Sequence, residues 1–297
     1  MTSSRRRASV VARVEATEAP IADHVHLTLR IPAGAPDALP GQFMHLRPAN
    51  GALAPLLRRP MSISAARVDG DHALWSAFFA QVGPGTDALA ALPVGGAVDV
   101  LGPIGRPYDP PPPGGLAVLI GGGRGIAPMM FFAAWLAARG HDATLLGGAR
   151  RADLLWVPAS PGIDVRTATE DGSAGQRGSV LDLLDSFTAR DWARAHFYAC
   201  GPHGLLARVA ALAAARHRPA QVTMEARMGC AMNVCRGCVL PTRDPSQGYK
   251  TVCTDGPVFD GDALDWDALA AMEDAGYGVP HGRRAASARV DGAGAMR

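Results

Sequence analysis

The sequence predicts a multidomain β plus α/β fold: an antiparallel β-barrel, a parallel α/β unit and a small C-terminal module rich in cysteine. Three observations carry this expectation. Up to about residue 108, short β-prone runs alternate with glycine and proline turns; from residue 116, strand-like and helix-like runs alternate; and four of the five cysteines lie between 230 and 253. The 297 residues suit two domains and a small third, at about 100–200 residues per domain.

In the first unit, β-prone runs at 9–14, 24–29, 42–47, 61–65, 73–79 and 97–100 are separated by turn residues such as Pro32-Ala33-Gly34, Asp69-Gly70 and Gly95-Gly96. Many short strands at this spacing argue for a closed antiparallel barrel. Prolines 110–113, followed by Gly114-Gly115, cannot continue a sheet ladder and make a stiff spacer, so the first domain is taken as 1–109. Beyond it, strands are expected at 116–120, 143–146, 165–169 and 196–200, with helices at 128–138, near 152, at 179–184 and at 202–216. That alternation implies a parallel sheet with helices on both faces, over 114–222. The cysteine-rich module spans 223–262, and 263–297 reads as a tail, disordered from about Gly276.

Composition narrows the function. A net charge of +2 and 6% aromatic residues give no electrostatic or stacking case for nucleic acid or for an anionic membrane. The apolar stretch behind Arg5-Arg6-Arg7 is broken at Arg13 and Glu15, too early for a secretory signal. The longest apolar helix candidate, 126–138, falls short of the roughly 20 residues of a membrane span. A soluble cytoplasmic chain is expected, in which clustered thiols suggest a metal site and not disulfides.

Cys230, Cys235 and Cys238 stand in a C-x4-C-x2-C pattern, with Cys253 after fourteen further residues. The first part matches the plant-type [2Fe–2S] spacing. Zinc is the rival ligand, although zinc ribbons usually present two separate cysteine pairs. Gly121-Gly122-Gly123-Arg124-Gly125, before Ile126-Ala127-Pro128, follows a strand and opens a helix. Such glycines allow a phosphate close to the backbone at a helix N-terminus. At the end of the next strand, where an acid for a ribose hydroxyl is expected, Arg150-Arg151 stands instead; surface arginines or contacts to a 2′-phosphate are the two readings. Cys200 ends a parallel strand, a position equally suited to packing on a nicotinamide ring or to a buried thiol. Arg59-Pro60-Met61-Ser62 places an arginine and a hydroxyl where both can face one phosphate, but a solvated Arg58-Arg59 pair explains the motif as well. Gly83-Pro84-Gly85-Thr86 reads first as a turn and second as a phosphate loop. His24, His26, His45, His203 and His217 form no ligand-spaced set, and no carboxylate pair suggests acid/base catalysis.

In this order the motifs resemble a known family, the electron-transfer subunits of NAD-dependent (type B) dihydroorotate dehydrogenase within the ferredoxin-reductase-like superfamily. The resemblance covers about residues 8 to 262. It rests on Pro40-Gly41-Gln42-Phe43, Arg59 to Ser62, Gly83 to Thr86, Gly102-Pro103-Ile104-Gly105, the glycine loop, Tyr198-Ala199-Cys200-Gly201-Pro202, and most specifically on Glu225 to Cys230 and Cys253 to Phe259. It implies that Arg59, Pro60, Met61 and Ser62 hold FAD, that Gly85 and Thr86 take its diphosphate, and that Phe79 and Ala80 line the flavin. It further implies NAD at Gly121, Gly122, Gly123, Gly125 and Cys200, and a [2Fe–2S] cluster on Cys230, Cys235, Cys238 and Cys253. No residue of this chain is then a catalytic acid or base. It would be an NAD-linked flavoprotein oxidoreductase subunit of pyrimidine biosynthesis, in a hetero-oligomer with an FMN-containing subunit that oxidises dihydroorotate. The alternative is the same electron module serving a hydrogenase, a bifurcating transhydrogenase or an oxygenase. Arg124, Ala231 and Asn233 depart from the family pattern, which has an apolar residue at the first position and glycines at the other two.

Overall fold

The computed structural model describes residues 7–49, 56–158 and 162–276. Strands β1 (Ala8–Glu18), β2 (His24–Ile31), β3 (Phe43–Pro48), β4 (Arg59–Ser62), β5 (Ala65–Asp69) and β6 (His72–Ala80) are followed by helix α1 (Pro84–Ala90) and strand β7 (Ala97–Ile104). The seven strands form one antiparallel sheet in the order β4-β3-β7-β1-β2-β6-β5. Period-two burial builds it: in β2, Val25, Leu27, Leu29 and Ile31 are buried while His24, His26, Thr28 and Arg30 point away. Leu27, Leu29, Ile31, Met44, Leu46 and Trp75 fill the inside of the curl.

The closed barrel expected from the sequence is a half-barrel. Edge strands β4 and β5 share no ladder and are joined only by Ile63 and Ser64, with the Ser64 N–H donating to the Ser76 carbonyl at 2.8 Å. The single strand expected at 61–65 straddles this corner. Ile63 is fully buried, so the apolar pattern runs unbroken through a chain reversal that it cannot reveal. The turn expected at 83–86 is the start of α1, whose first turn holds Pro84, a residue preset for that place.

The second sheet contains β8 (Leu116–Gly122), β9 (Asp142–Ala149), β10 (Asp164–Thr169), β11 (Gln176–Arg177), β12 (Ala195–Cys200) and β13 (Ala220–Thr223). Helices α2 (Ile126–Ala137), α3 (Ala189–Arg194) and α4 (His203–Ala215) lie among them in the chain. All six strands run parallel. Leu116, Val118 and Ile120 pack against the α4 side, and Ala117 and Leu119 against α2, so helices cover both faces as expected. The helix expected near 152 is one 3-10 turn, Ala152–Leu154, with no buried residue to anchor more. At 179–184 the chain forms a 3-10 helix, Val180–Ser186, because Val180/Leu183 and Leu181/Leu184 bury at a spacing of three.

The cysteine-rich segment adds a hairpin, β14 (Val239–Pro241) with β15 (Tyr249–Thr251), then β16 (Val258–Asp260) and α5 (Trp266–Asp274). Strand β16 joins the parallel sheet as an antiparallel edge on β13. Ala231, Cys238, Val252 and Cys253 share one core with Val118, Phe197 and Val222, and also with Phe43 and Ile104 of the barrel. The expected tail therefore begins with a helix, held by Asp265 capping Ala268 and by the buried Leu269; residues 277–297, the rest of that expectation, lie outside the described residues. Among the described residues no helix is long and apolar enough to cross a membrane.

The residues leading into the proline-rich segment are anchored on both sheets. Tyr108 is 5% exposed and stacks on Phe132 at 4.8 Å, its hydroxyl bonded to Thr223. Gln42 donates to the Gly105 carbonyl, and the Arg106 N–H donates to the Gly256 carbonyl. Motif residues around 40–43, 102–105 and 255–259 thus meet at the junction of the two sheets, Gly41 against Val258 and Gly105 against Pro257.

Candidate functional site between the two sheets

A cavity of about 690 Å3 opens between the sheets. Its barrel wall carries Arg59, Pro60, Met61 and Ser62 of β4, Phe78, Phe79 and Ala80 at the end of β6, and Thr86. Its α/β wall carries Arg124, Gly125 and Pro128 at the head of α2, Cys200 at the end of β12, and Thr223 to Met228. The last of these stands two residues before Cys230. Three motifs distant in sequence therefore share one volume.

On the barrel wall the neighbouring arginines differ. Arg58 and Arg47 both pair with Asp99, at 2.7 and 3.0 Å. Among the described residues Arg59 is bound only to the Leu57 carbonyl, at 2.5 Å, and its guanidinium lies in the space that a side chain at Gly85 would occupy. An arginine held in a cradle beside a tight turn, its remaining donors unspent, fits the diphosphate of a dinucleotide. The Thr86 hydroxyl accepts from the N–H groups of Val82 and Gly83 at 2.9 and 3.2 Å, so it shapes that turn.

On the opposite wall, Gly125 touches the Cys200 carbonyl so closely that any side chain there would collide with it. Gly121 and Gly122 pack beneath, against Ile126 and Leu205, and Gly123 faces open space. Of this loop, Arg124 and Gly125 line the cavity together with Cys200, and Gly121, Gly122 and Gly123 do not. Cys200 is 1% exposed; burial, with the Glu225 charge adding, pushes its thiol far up, while Arg124 opposes. It is thus a neutral packing surface. Near the end of β9, Arg151 is paired with Asp153 at 2.8 Å, and the backbone of β10 brings Glu170 and Asp171 alongside Ala149 and Arg150. Two carboxylates thus lie beside the end of β9, that of Asp171 bonded to Ser173, and neither lines the cavity.

The four clustered cysteines fall into two pairs. The β14–β15 hairpin, reinforced by the Val252 N–H donating to the Cys238 carbonyl at 2.9 Å, brings Cys238 and Cys253 together. Their thiols share a hydrogen bond that holds Cys253 down to about 5 and pushes Cys238 up. Cys230 faces Cys235 within the loop and accepts from the N–H groups of Met232 and Cys235 at 3.3 and 3.4 Å. Partial burial raises the Cys230 thiol, but these N–H groups outweigh it and bring it to about 7. Ala231, Asn233 and Arg236 adopt φ of 55°, 63° and 51° to aim them, at a cost of roughly 1–2 kcal/mol each. Among the described residues no three His, Cys, Asp or Glu side chains converge on one metal ion. Two thiol pairs with converging N–H donors suit two irons with two ligands each better than one tetrahedral zinc.

The sequence reading gives no cleft position to Phe78 or Thr223, and quotes Glu225 only as part of the motif before Cys230. Trp156, in the loop after β9, stacks on Phe78 at 4.2 Å. It stands in the apolar run Leu154-Leu155-Trp156-Val157, which gives no sign of that contact.

Comparison with known proteins agrees with this arrangement. Residues 225–265 match the iron–sulfur cluster binding domain of dihydroorotate dehydrogenase B. The chain is 38% identical, over 74% of its length and 84% of the relative's, to the dihydroorotate dehydrogenase B (NAD(+)) electron transfer subunit of Geobacillus thermodenitrificans. It is 39% identical, with the same coverage, to that of Bacillus mycoides. Among solved structures, a chain of an NADH-dependent reduced ferredoxin-NADP oxidoreductase aligns with a TM-score of 0.75 at 26% identity, covering 89% of this chain and 93% of the other. The ferredoxin reductase of carbazole 1,9a-dioxygenase aligns at 0.62 and 20%, over 73% and 68%, and shares the fold. With paired cysteines, a cleft between two sheets and relatives of this identity and coverage, the chain belongs to the family of dihydroorotate dehydrogenase B (NAD(+)) electron transfer subunits.

Proposed function

We propose that this chain carries electrons between NAD(H) and an FMN-containing catalytic subunit that oxidises dihydroorotate, using FAD and a [2Fe–2S] cluster, as a cytoplasmic hetero-oligomer of pyrimidine biosynthesis. The observation that carries the reading is the single cavity shared by Arg59 to Ser62, by Arg124 and Gly125 of the glycine loop, and by the segment entering Cys230. When bound, the flavin supplies the exchange between hydride and single-electron chemistry, and the cluster supplies one-electron transfer. The chain's own residues hold and orient. Arg59, in its Gly85 cradle, holds the flavin diphosphate, with Thr86 fixing the turn; Pro60, Met61, Ser62, Phe79 and Ala80 form the slot for the ring. Gly121, Gly122, Gly123 and Gly125 let the nicotinamide dinucleotide approach the backbone, and Cys200 supplies the surface under its ring. Cys230, Cys235, Cys238 and Cys253 hold the cluster.

This reading assigns 1–109 to a flavin barrel, 114–222 to a nicotinamide unit and 223–262 to the cluster module. Beside the cluster loop, Met232 and Val234 are 47% and 78% exposed, apolar groups suited to a partner surface. The likeness to the ferredoxin-NADP oxidoreductase chain favours a second partner class, a bifurcating transhydrogenase; its 26% identity against 38% for the relatives ranks it below. The test is co-expression with the FMN subunit: NAD+-dependent dihydroorotate oxidation that appears only with this chain supports the reading. A complex that oxidises dihydroorotate with an artificial acceptor and never reduces NAD+ overturns it.

A further inference from the structure

We propose that Arg124 grips the diphosphate of the nicotinamide dinucleotide and sets its affinity; this rests on the nicotinamide reading of the cavity. Arg124 lines that cavity beside Gly125 and Pro128 and makes no hydrogen bond or ion pair with a described residue. Among the neighbouring arginines, Arg47 and Arg58 are committed to Asp99 and Arg151 to Asp153. Arg59 stands on the opposite wall with donors to spare, and Arg227 lines the same wall as Arg124 but is exposed, on the segment that leads to Cys230. Two dinucleotides bring two diphosphates into one cleft, and Arg124 is the lining arginine that stands within the glycine loop itself.

The backbone at the head of α2 leaves a part for a side chain. The N–H of Ile126 is spent on the carbonyls of Gly123 and Arg124, and Pro128 has none. Two positions at the head of α2 therefore offer no N–H to an anion. Four arginines against the single carboxylate of Glu225 line the cavity among the described residues, so it is built for anions. A guanidinium fork at the loop replaces the missing N–H groups with charge-assisted bonds.

The test uses the full chain loaded with FAD in complex with its partner, and ADP-ribose as the probe, which carries the diphosphate but no hydride. With Arg124→Leu, calorimetry should show ADP-ribose binding weakened about tenfold or more, with flavin content unchanged and Arg124→Lys intermediate. Equal affinity in Arg124→Leu and the parent overturns the proposal. So does loss of flavin with ADP-ribose affinity per flavin intact, which assigns the guanidinium to the other diphosphate. If the parent binds neither ADP-ribose nor NADH, the nicotinamide reading itself fails, and this proposal with it.

Discussion

The guanidinium of Arg59 fills the space that a side chain at Gly85 would take, so β4 and the first turn of α1 meet through a missing Cβ. Gly85 is not among the positive-φ residues, so a Gly85→Ala backbone is unstrained, and the atoms nearest the new methyl group are those of the Arg59 guanidinium. The variant should fold, with an unchanged circular dichroism spectrum, and bind FAD about tenfold or more weakly because the fork is displaced. Flavin fluorescence titration of the apoprotein measures it.

The two adjacent arginines should separate by what they lose. Arg59→Met should lower flavin affinity with little change in melting temperature. Arg58→Met should keep flavin and lose about 1 kcal/mol, because Asp99, only 15% exposed, retains one partner in place of two. Parallel melting and flavin-content measurements distinguish them.

Acid should destabilise the barrel through His45. This side chain is 1% exposed, its Nε2 has no partner among the described residues, and burial followed by the Arg58 and Arg59 charges lowers its pKa to about 4. The unfolded chain takes up a proton near 6.5 that the folded chain refuses. Stability is therefore full above about 6.5 and falls as pH drops toward 4, by about 3 kcal/mol. In urea titrations between pH 7 and 4, His45→Gln should flatten that slope.

Tyr108→Phe should cost about 1–2 kcal/mol, since the Thr223 hydroxyl loses its partner at a buried site. Chemical denaturation measures the loss. An unchanged stability would show that Thr223 finds another acceptor.

Much of this arrangement is legible in the sequence, and the exceptions have physical causes. The strand alternation of 24–31 and the βα alternation after 116 are direct consequences of burial on one or two faces. The four clustered cysteines are legible because the spacing matches that of a plant-type cluster, which their proposed role as ligands would require. Ala231 and Asn233, standing at expected glycine positions, do adopt positive φ; Arg236 does so too, and a lone arginine gives no sign of it. The corner at Ile63-Ser64 is hidden because both strands and the bend bury the same apolar type. Helix α5 is hidden because a single buried leucine anchors it. Thr223 reaches the cleft, and Trp156 reaches Phe78, only through tertiary folding, which no local pattern encodes.

The most direct test of the central claim is an anaerobic titration of the intact complex with NADH, followed by visible and electron paramagnetic resonance spectra, with iron and acid-labile sulfide assayed. The account predicts two irons and two sulfides per chain, bleaching of the flavin bands, and a reduced-cluster resonance appearing with them. Flavin reduction in a protein that holds zinc and no sulfide would contradict it.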